Sequence, residues 1–196
     1  GGWMPDFDEI ERGGLQGVKM MIVNYPHMPT GAAPKEGLFR RLVDFARRHG
    51  ILLLHDNPYS FLRNDRPESL LATPGATEVA LELNSLSKSH CMAGWRIGMI
   101  GGARERIDEI IRFKSNMDSG MFYPLQAAAA KALSLGDDWY RELNALYRRR
   151  EAKAYEILDA VGCTYDPVQA GLFVWGRLPE GAGDCYEFSD RVLNGC

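Results

Sequence analysis

The chain has 196 residues, 45% of them apolar and 25% charged, with a formal net charge of -3 at pH 7. That supports one sizeable core and excludes a disordered tail or a basic nucleic-acid footprint. No run approaches the roughly 18 apolar residues of a membrane span, the opening GGWMPDFDEIERGG is not a signal peptide, and Cys91, Cys163, Cys185 and Cys196 show no CxxC or Cys/His spacing. The cysteines therefore read as reduced thiols of a cytosolic protein, neither disulfides nor a zinc site.

In chain order, VKMMIVNYP is a continuous apolar run closed by Asn-Tyr-Pro, the pattern of a strand buried on both faces. From Pro34 to His49, Leu38, Leu42, Phe45 and Ala46 recur at helical spacing, with Arg40, Arg41, Asp44, Arg47 and Arg48 opposite. Gly50 ends that helix, and ILLLHD forms a second buried strand running into Asn57-Pro58, which completes a β-α-β unit. A polar loop from Arg63 to Pro74 leads to a third strand near Val79 to Asn84, a loop carrying Lys88, and a fourth strand in RIGMIGG. ARERIDEIIRFK is a helix with Ile107, Ile110 and Ile111 on one side, and a second helix starts after Pro124 in LQAAAAKAL. A third, from about Asp138 to Val161, aligns Trp139, Leu143, Leu146, Ala154, Ile157 and Val161, while Arg148 to Arg150 form a solvated face. GLFVWGRL reads as a strand and DCYEFSDRVL as a helix.

This alternation predicts an α/β fold, a largely parallel mixed sheet flanked by helices. A boundary near Val161 to Pro167 gives residues 1–162 to a large domain and 163–196 to the start of a small α+β domain. Ligands of such sheets bind beyond the carboxyl ends of the strands. Three groups fall there: Asn24 to Gly31, Asp56 to Tyr59, and Ser85 to Arg96.

Each residue alone has an ordinary explanation. Asp56 in Asp-Asn-Pro is turn chemistry, Tyr59 a packed aromatic, Lys88 a surface lysine and Arg96 a strand-edge charge. Together they match one ligand. A pyridinium nitrogen needs a carboxylate (Asp56), and a phenolate-like ring oxygen needs a donor (Tyr59). An aldehyde needs a primary amine for a Schiff base (Lys88), and a dianionic phosphate needs an arginine with hydroxyls (Arg96, Ser85). That ligand is pyridoxal 5'-phosphate.

NYPHMPTG, DNPYSF and SLSKSHCMAGWRIG, in this order and spacing, resemble the motifs of the class I/II aminotransferases, pyridoxal-phosphate enzymes of fold type I. KSNMDSGMFYPLQAAAAKAL is similar to that family's dimer-interface segment. The resemblance covers almost the whole chain and implies Lys88 as the cofactor-bonded catalytic lysine, Asp56 at the ring nitrogen and Tyr59 at the ring oxygen. It also implies Ser85, Ser87 and Arg96 near the phosphate, amino acid and 2-oxo acid substrates, and a homodimer, with no nucleic acid or membrane partner. Met28 stands where the family usually has an asparagine before Pro-Thr-Gly. By the same resemblance, the family's phosphate loop and stacking aromatic lie upstream of Gly1 and its carboxylate-binding arginine downstream of Cys196. The chain is therefore expected to be a fragment, inactive in isolation. Two alternatives share the motifs: a β-eliminating lyase on the same scaffold, and the cofactor-sensing domain of a transcriptional regulator.

Overall fold

The structure, a computed structural model, describes residues 2–195. Helix α1 (Phe7–Gly13) opens it, capped by Asp6, whose carboxylate accepts from Glu9 N at 3.0 Å. The sequence reading contains no helix here, because Phe7 and Ile10 give only one apolar repeat. Strand β1 (Met20–Asn24) follows, then helix α2 (Leu38–His49), β2 (Leu52–Asp56), a 3-10 turn at Leu70–Ala72, helix α3 (Ala76–Val79) and β3 (Ala80–Ser85). Helix α4 (Leu86–Ser89), a 3-10 turn at Ala93–Trp95, β4 (Gly98–Gly102), and helices α5 (Arg104–Lys114), α6 (Tyr123–Leu133) and α7 (Asp137–Ala160) come next. Strands β5 (Thr164–Tyr165) and β6 (Gly176–Arg177) and helix α8 (Cys185–Asn194) close the chain.

The main sheet has the order β1-β2-β3-β4, with β1, β2 and β3 parallel and β4 antiparallel to β3. It is the parallel-rich mixed sheet that the alternation implied. Helix α2 lays Leu38, Phe39, Leu42, Val43, Phe45 and Ala46 against one face of it, meeting Val23 and Leu53, with Phe7 packed on Phe45 at 5.0 Å between ring centroids. Gly50 stops α2 as expected: its φ of 63° is left-handed and its N–H bonds to Ala46 O. The start lies later than expected, at Leu38, because left-handed Gly37 (φ 77°) turns the chain just before it.

Four expectations need correction. The first strand is covered on one face only: Val23 is 7% exposed, but Met20 and Ile22 are 47% and 67% exposed. Val79 closes α3, so the third strand begins at Ala80. Helix α7, 24 residues or about 36 Å at 1.5 Å per residue, lies where expected, but its apolar stripe is not buried along its length. Leu143 is buried, whereas Ile157 from the same stripe is 61% exposed.

The fourth correction concerns GLFVWGRL, of which only Gly176 and Arg177 enter a ladder, with Thr164 and Tyr165. Gly171 N donates to Leu62 O at 2.8 Å, and side chains hold several of the segment's other backbone groups. Arg63 donates to Gly171 O (2.8 Å) and Phe173 O (2.6 Å), while the Gln169 amide accepts from Trp175 N and donates to Trp175 O at 2.7 and 2.9 Å. Cys91, Cys163 and Cys185 are free thiols, and Cys196 lies outside the described residues. Among the described residues there is no cluster fit for a metal, and no helix is long and apolar enough to cross a membrane.

Candidate active site

Strands β1 and β2 end side by side, with Asn24 opposite Asp56. The Asn24 amide donates to Asp56 O at 2.7 Å and accepts from Met28 N at 2.7 Å, so one side chain fastens the NYPHMPTG turn to the end of β2. Along β2 the side chains alternate, which buries His55 and Asn57 and leaves Asp56 exposed on the opposite face. The Asp56 carboxylate makes no hydrogen bond or ion pair among the described residues. Asn57 N extends the ladder by one bond, to Leu83 O at 2.9 Å, and the chain then turns to bury Tyr59.

Tyr59 packs with Leu62 and Leu143, and its ring meets Phe173 edge-on at 5.9 Å. Burial, with a further push from the Asp56 charge, raises the phenol's pKa above 10.0. The phenol is thus held as an O–H donor within electrostatic reach of Asp56.

Lys88 sits on the single turn α4 directly after β3. Ser85 caps that turn: its Oγ accepts from Ser87 N at 3.1 Å and donates to Ile97 O at 3.2 Å. The lysine is half-buried and has no ion-pair partner among the described residues. Ser87, also half-buried, makes no hydrogen bond through its hydroxyl among the described residues. Arg96 follows the next turn in a left-handed conformation (φ 55°), exposed, with one guanidinium N–H on Ala93 O at 2.9 Å and no acidic partner among the described residues. The glycine of GWRIG after it is sterically required, since a Cβ at Gly98 would stand 2.9 Å from Asn84 O.

Because β4 runs antiparallel, its first residue Gly98 pairs with Ser85, the last residue of β3. Topology therefore brings Asp56, Tyr59, Ser85, Ser87, Lys88 and Arg96 to one end of one sheet. The donor set matches the expected cofactor. An unpaired carboxylate, a phenol held protonated, an unpaired ammonium and a guanidinium without an acidic partner, beside the Ser87 hydroxyl, are what pyridoxal phosphate would use.

Sequence reasoning missed a polar cluster on the opposite face, formed by His55, Asn57, Glu82 and Ser69. One signal was present. ILLLHD and ALELN each place a titratable residue inside an apolar strand, and a buried charge needs a partner.

The family model for aminotransferase class I and II matches residues 1–194. The LL-diaminopimelate aminotransferase of Nitratidesulfovibrio vulgaris (strain Hildenborough) is 40% identical over 194 residues, 97% of this chain and 50% of that protein. That of Gloeobacter violaceus is 37% identical, covering 98% and 50%. Among solved structures, apo-BacF from Bacillus subtilis superposes with a TM-score of 0.90 at 32% identity, over 98% of this chain and 50% of that one. A probable N-succinyldiaminopimelate aminotransferase from Thermus thermophilus gives 0.83 at 35% identity, over 91% and 48%. The chain spans about half the length of the curated relatives it matches.

Proposed function

The chain belongs to the class I and II aminotransferases, and we propose that the protein it comes from moves an amino group between an amino acid and a 2-oxo acid. Members of the family work with pyridoxal 5'-phosphate. The observation that carries the reading is the gathering of Asp56, Tyr59, Lys88 and Arg96 at one end of the sheet, with no ion pair to any of them among the described residues.

When bound, the cofactor supplies an aldehyde carbon that takes up the amino group and a ring that accepts electron density from the substrate Cα. Arg96 binds its phosphate, because a guanidinium presents parallel N–H donors to two oxygens; the Ser87 hydroxyl adds a donor, and that of Ser85 adds another by turning from Ile97 O. Asp56 keeps a proton on the ring nitrogen, since an adjacent carboxylate favours the charged form. The Tyr59 O–H donates to the ring oxygen. Lys88 would be the primary amine that holds the aldehyde carbon, and its free amine would carry the proton from the substrate Cα to that cofactor carbon.

Residues 1–162 belong to the large domain and 163–196 begin the small one. The protein acts as a homodimer through the segment after α5, where Met117, Phe122 and Tyr123 are 70%, 69% and 76% exposed. A cytoplasmic location agrees with the free thiols. The relatives' names make a diaminopimelate-type donor the first to assay.

Borohydride treatment of the full-length protein with pyridoxal phosphate, followed by peptide mapping, tests the reading. The reduced cofactor is expected on Lys88, and a label on Lys114 or Lys131 instead would overturn the assignment.

A further inference from the structure

The polar cluster behind the sheet has a definite charge state. His55 is fully buried, its Nδ1 2.9 Å from Glu82 Oε2 and its Nε2 3.0 Å from Tyr25 O. A carbonyl oxygen only accepts, so Nε2 carries a proton. Glu82 Oε2 already accepts from Leu70 N at 2.8 Å and Ser69 Oγ at 3.0 Å, and Oε1 accepts from Asn57 Nδ2 at 3.2 Å. A carboxyl surrounded by donors is ionised, so Nδ1 carries a proton too. Burial alone would raise the Glu82 pKa, yet the bonds from His55, Asn57 and Ser69 and the His55 charge leave it lowered. The groups around the imidazole complete the account: the Tyr25 carbonyl from the turn after β1, Glu82 from β3, and the Phe39 ring of α2, edge-on at 5.1 Å. Among the described residues no second cation faces it.

The arrangement straddles Asp56. One buried carboxylate holds the residue before it through Oε2 and the residue after it through Oε1, while the Asp56 side chain points to the other face and bonds to nothing among the described residues. The orientation of that side chain is therefore set through its backbone, and the backbone is gripped from behind.

We infer that Glu82 and His55 form a buried carboxylate–imidazolium pair that, together with Asn57, positions Asp56 toward the cofactor ring. The inference rests on the cofactor reading above. Glu82 and His55 touch no substrate and are positioning residues; their charge fixes the geometry of a third group.

The test uses the full-length protein. Glu82→Gln is titrated with pyridoxal phosphate and assayed for kcat and KM, beside Ser69→Ala, which removes a donor from Glu82 without touching the residues flanking Asp56. Glu82→Gln is expected to weaken cofactor binding about ten-fold or more and to lower kcat with the amino-donor KM kept within about two-fold, the scale of one lost charge-assisted bond. Ser69→Ala should lower the melting temperature and leave the cofactor affinity unchanged. Glu82→Asp keeps the charge but shortens the reach, and serves the same titration should the glutamine variant fail to fold.

Independently, nitrogen NMR of labelled histidines in the unaltered protein should show His55 protonated on both ring nitrogens, as its two acceptors require. Unchanged cofactor affinity in Glu82→Gln or Glu82→Asp overturns the positioning role, and a single-tautomer His55 spectrum overturns the ion pair. If the unaltered protein takes up no pyridoxal phosphate, the functional reading falls instead, and the histidine spectrum still decides the charge.

Discussion

Asp56 and Glu82 are carboxylates on neighbouring strands, one register step apart, with opposite surroundings. Glu82 is 9% exposed and accepts from three side chains and a backbone N–H, so removing its charge disturbs the fold. Asp56 is exposed and unbonded among the described residues, so the apo fold does not depend on its charge. Asp56→Asn in the full-length protein should keep the apo melting temperature within about 2 °C, as exposed substitutions do, while transamination falls by about 100-fold or more. Calorimetry and a steady-state assay check the two halves; activity within a few-fold of normal would remove Asp56 from the ring nitrogen. Asp56 could be found in the sequence because it ends an apolar run inside D-x-x-Y. Glu82 stands in the middle of an apolar strand, which signals that it needs a partner but not which one.

At the scale of elements, the lysine-bearing turn α4 is anchored to α7. His90, two residues after Lys88, stacks on Trp139 at 6.0 Å and meets Tyr140 edge-on at 5.6 Å, and the Trp139 indole donates to Ser89 O at 2.9 Å. Burial lowers the His90 pKa below 6.5, against a smaller upward pull from the Ala132 backbone. A histidine kept neutral in the fold is protonated first in the unfolded chain. The stability linked to it is therefore complete above about pH 6.5 and is lost as the pH falls through the folded pKa. His90→Phe keeps the ring stack and cannot titrate. The difference in melting temperature between the unaltered protein and this variant should shrink between about pH 7.5 and about pH 5.5. A constant difference across that range would show that His90 does not couple to folding.

Across the whole molecule, Arg63 is the joint between the sheet-side loops, α7 and the chain beyond it. Its side chain is 3% exposed; it pairs with Glu151 and donates to Gly171 O and Phe173 O, while its backbone N–H donates to Asn144 Oδ1 at 2.7 Å. Substitution leaves a half-buried carboxylate with only the Tyr155 hydroxyl and strands two carbonyls. Arg63→Met should cost about 3–5 kcal/mol in chemical denaturation, and Arg63→Met with Glu151→Leu should recover part of that loss, because the unpaired charge is then gone. Equal losses in the single and double variants would show that the ion pair is not what holds this joint. The same segment holds Phe173 against Tyr59, so the joint also shapes the wall of the site.

The sequence by itself determined the parallel-rich sheet and the helix stop at Gly50, and it pointed to Asp56, Tyr59, Ser85, Lys88 and Arg96 as candidates at one end of that sheet, with Ser87 added by the family resemblance. These rest on signals contained in short windows: apolar runs, helical periodicity, a left-handed glycine, and polar residues where a strand ends. Only the tertiary structure decided that β4 runs antiparallel, which brings Gly98, two residues after Arg96, back beside Ser85. It alone set which face of β1 is covered, and it turned GLFVWGRL from a strand into a segment bonded by side chains. His55 meets Glu82 across 27 residues and Arg63 meets Glu151 across 88. Partners that far apart leave no local pattern, since the cost of burying a charge is met only after the chain has closed the loop between them.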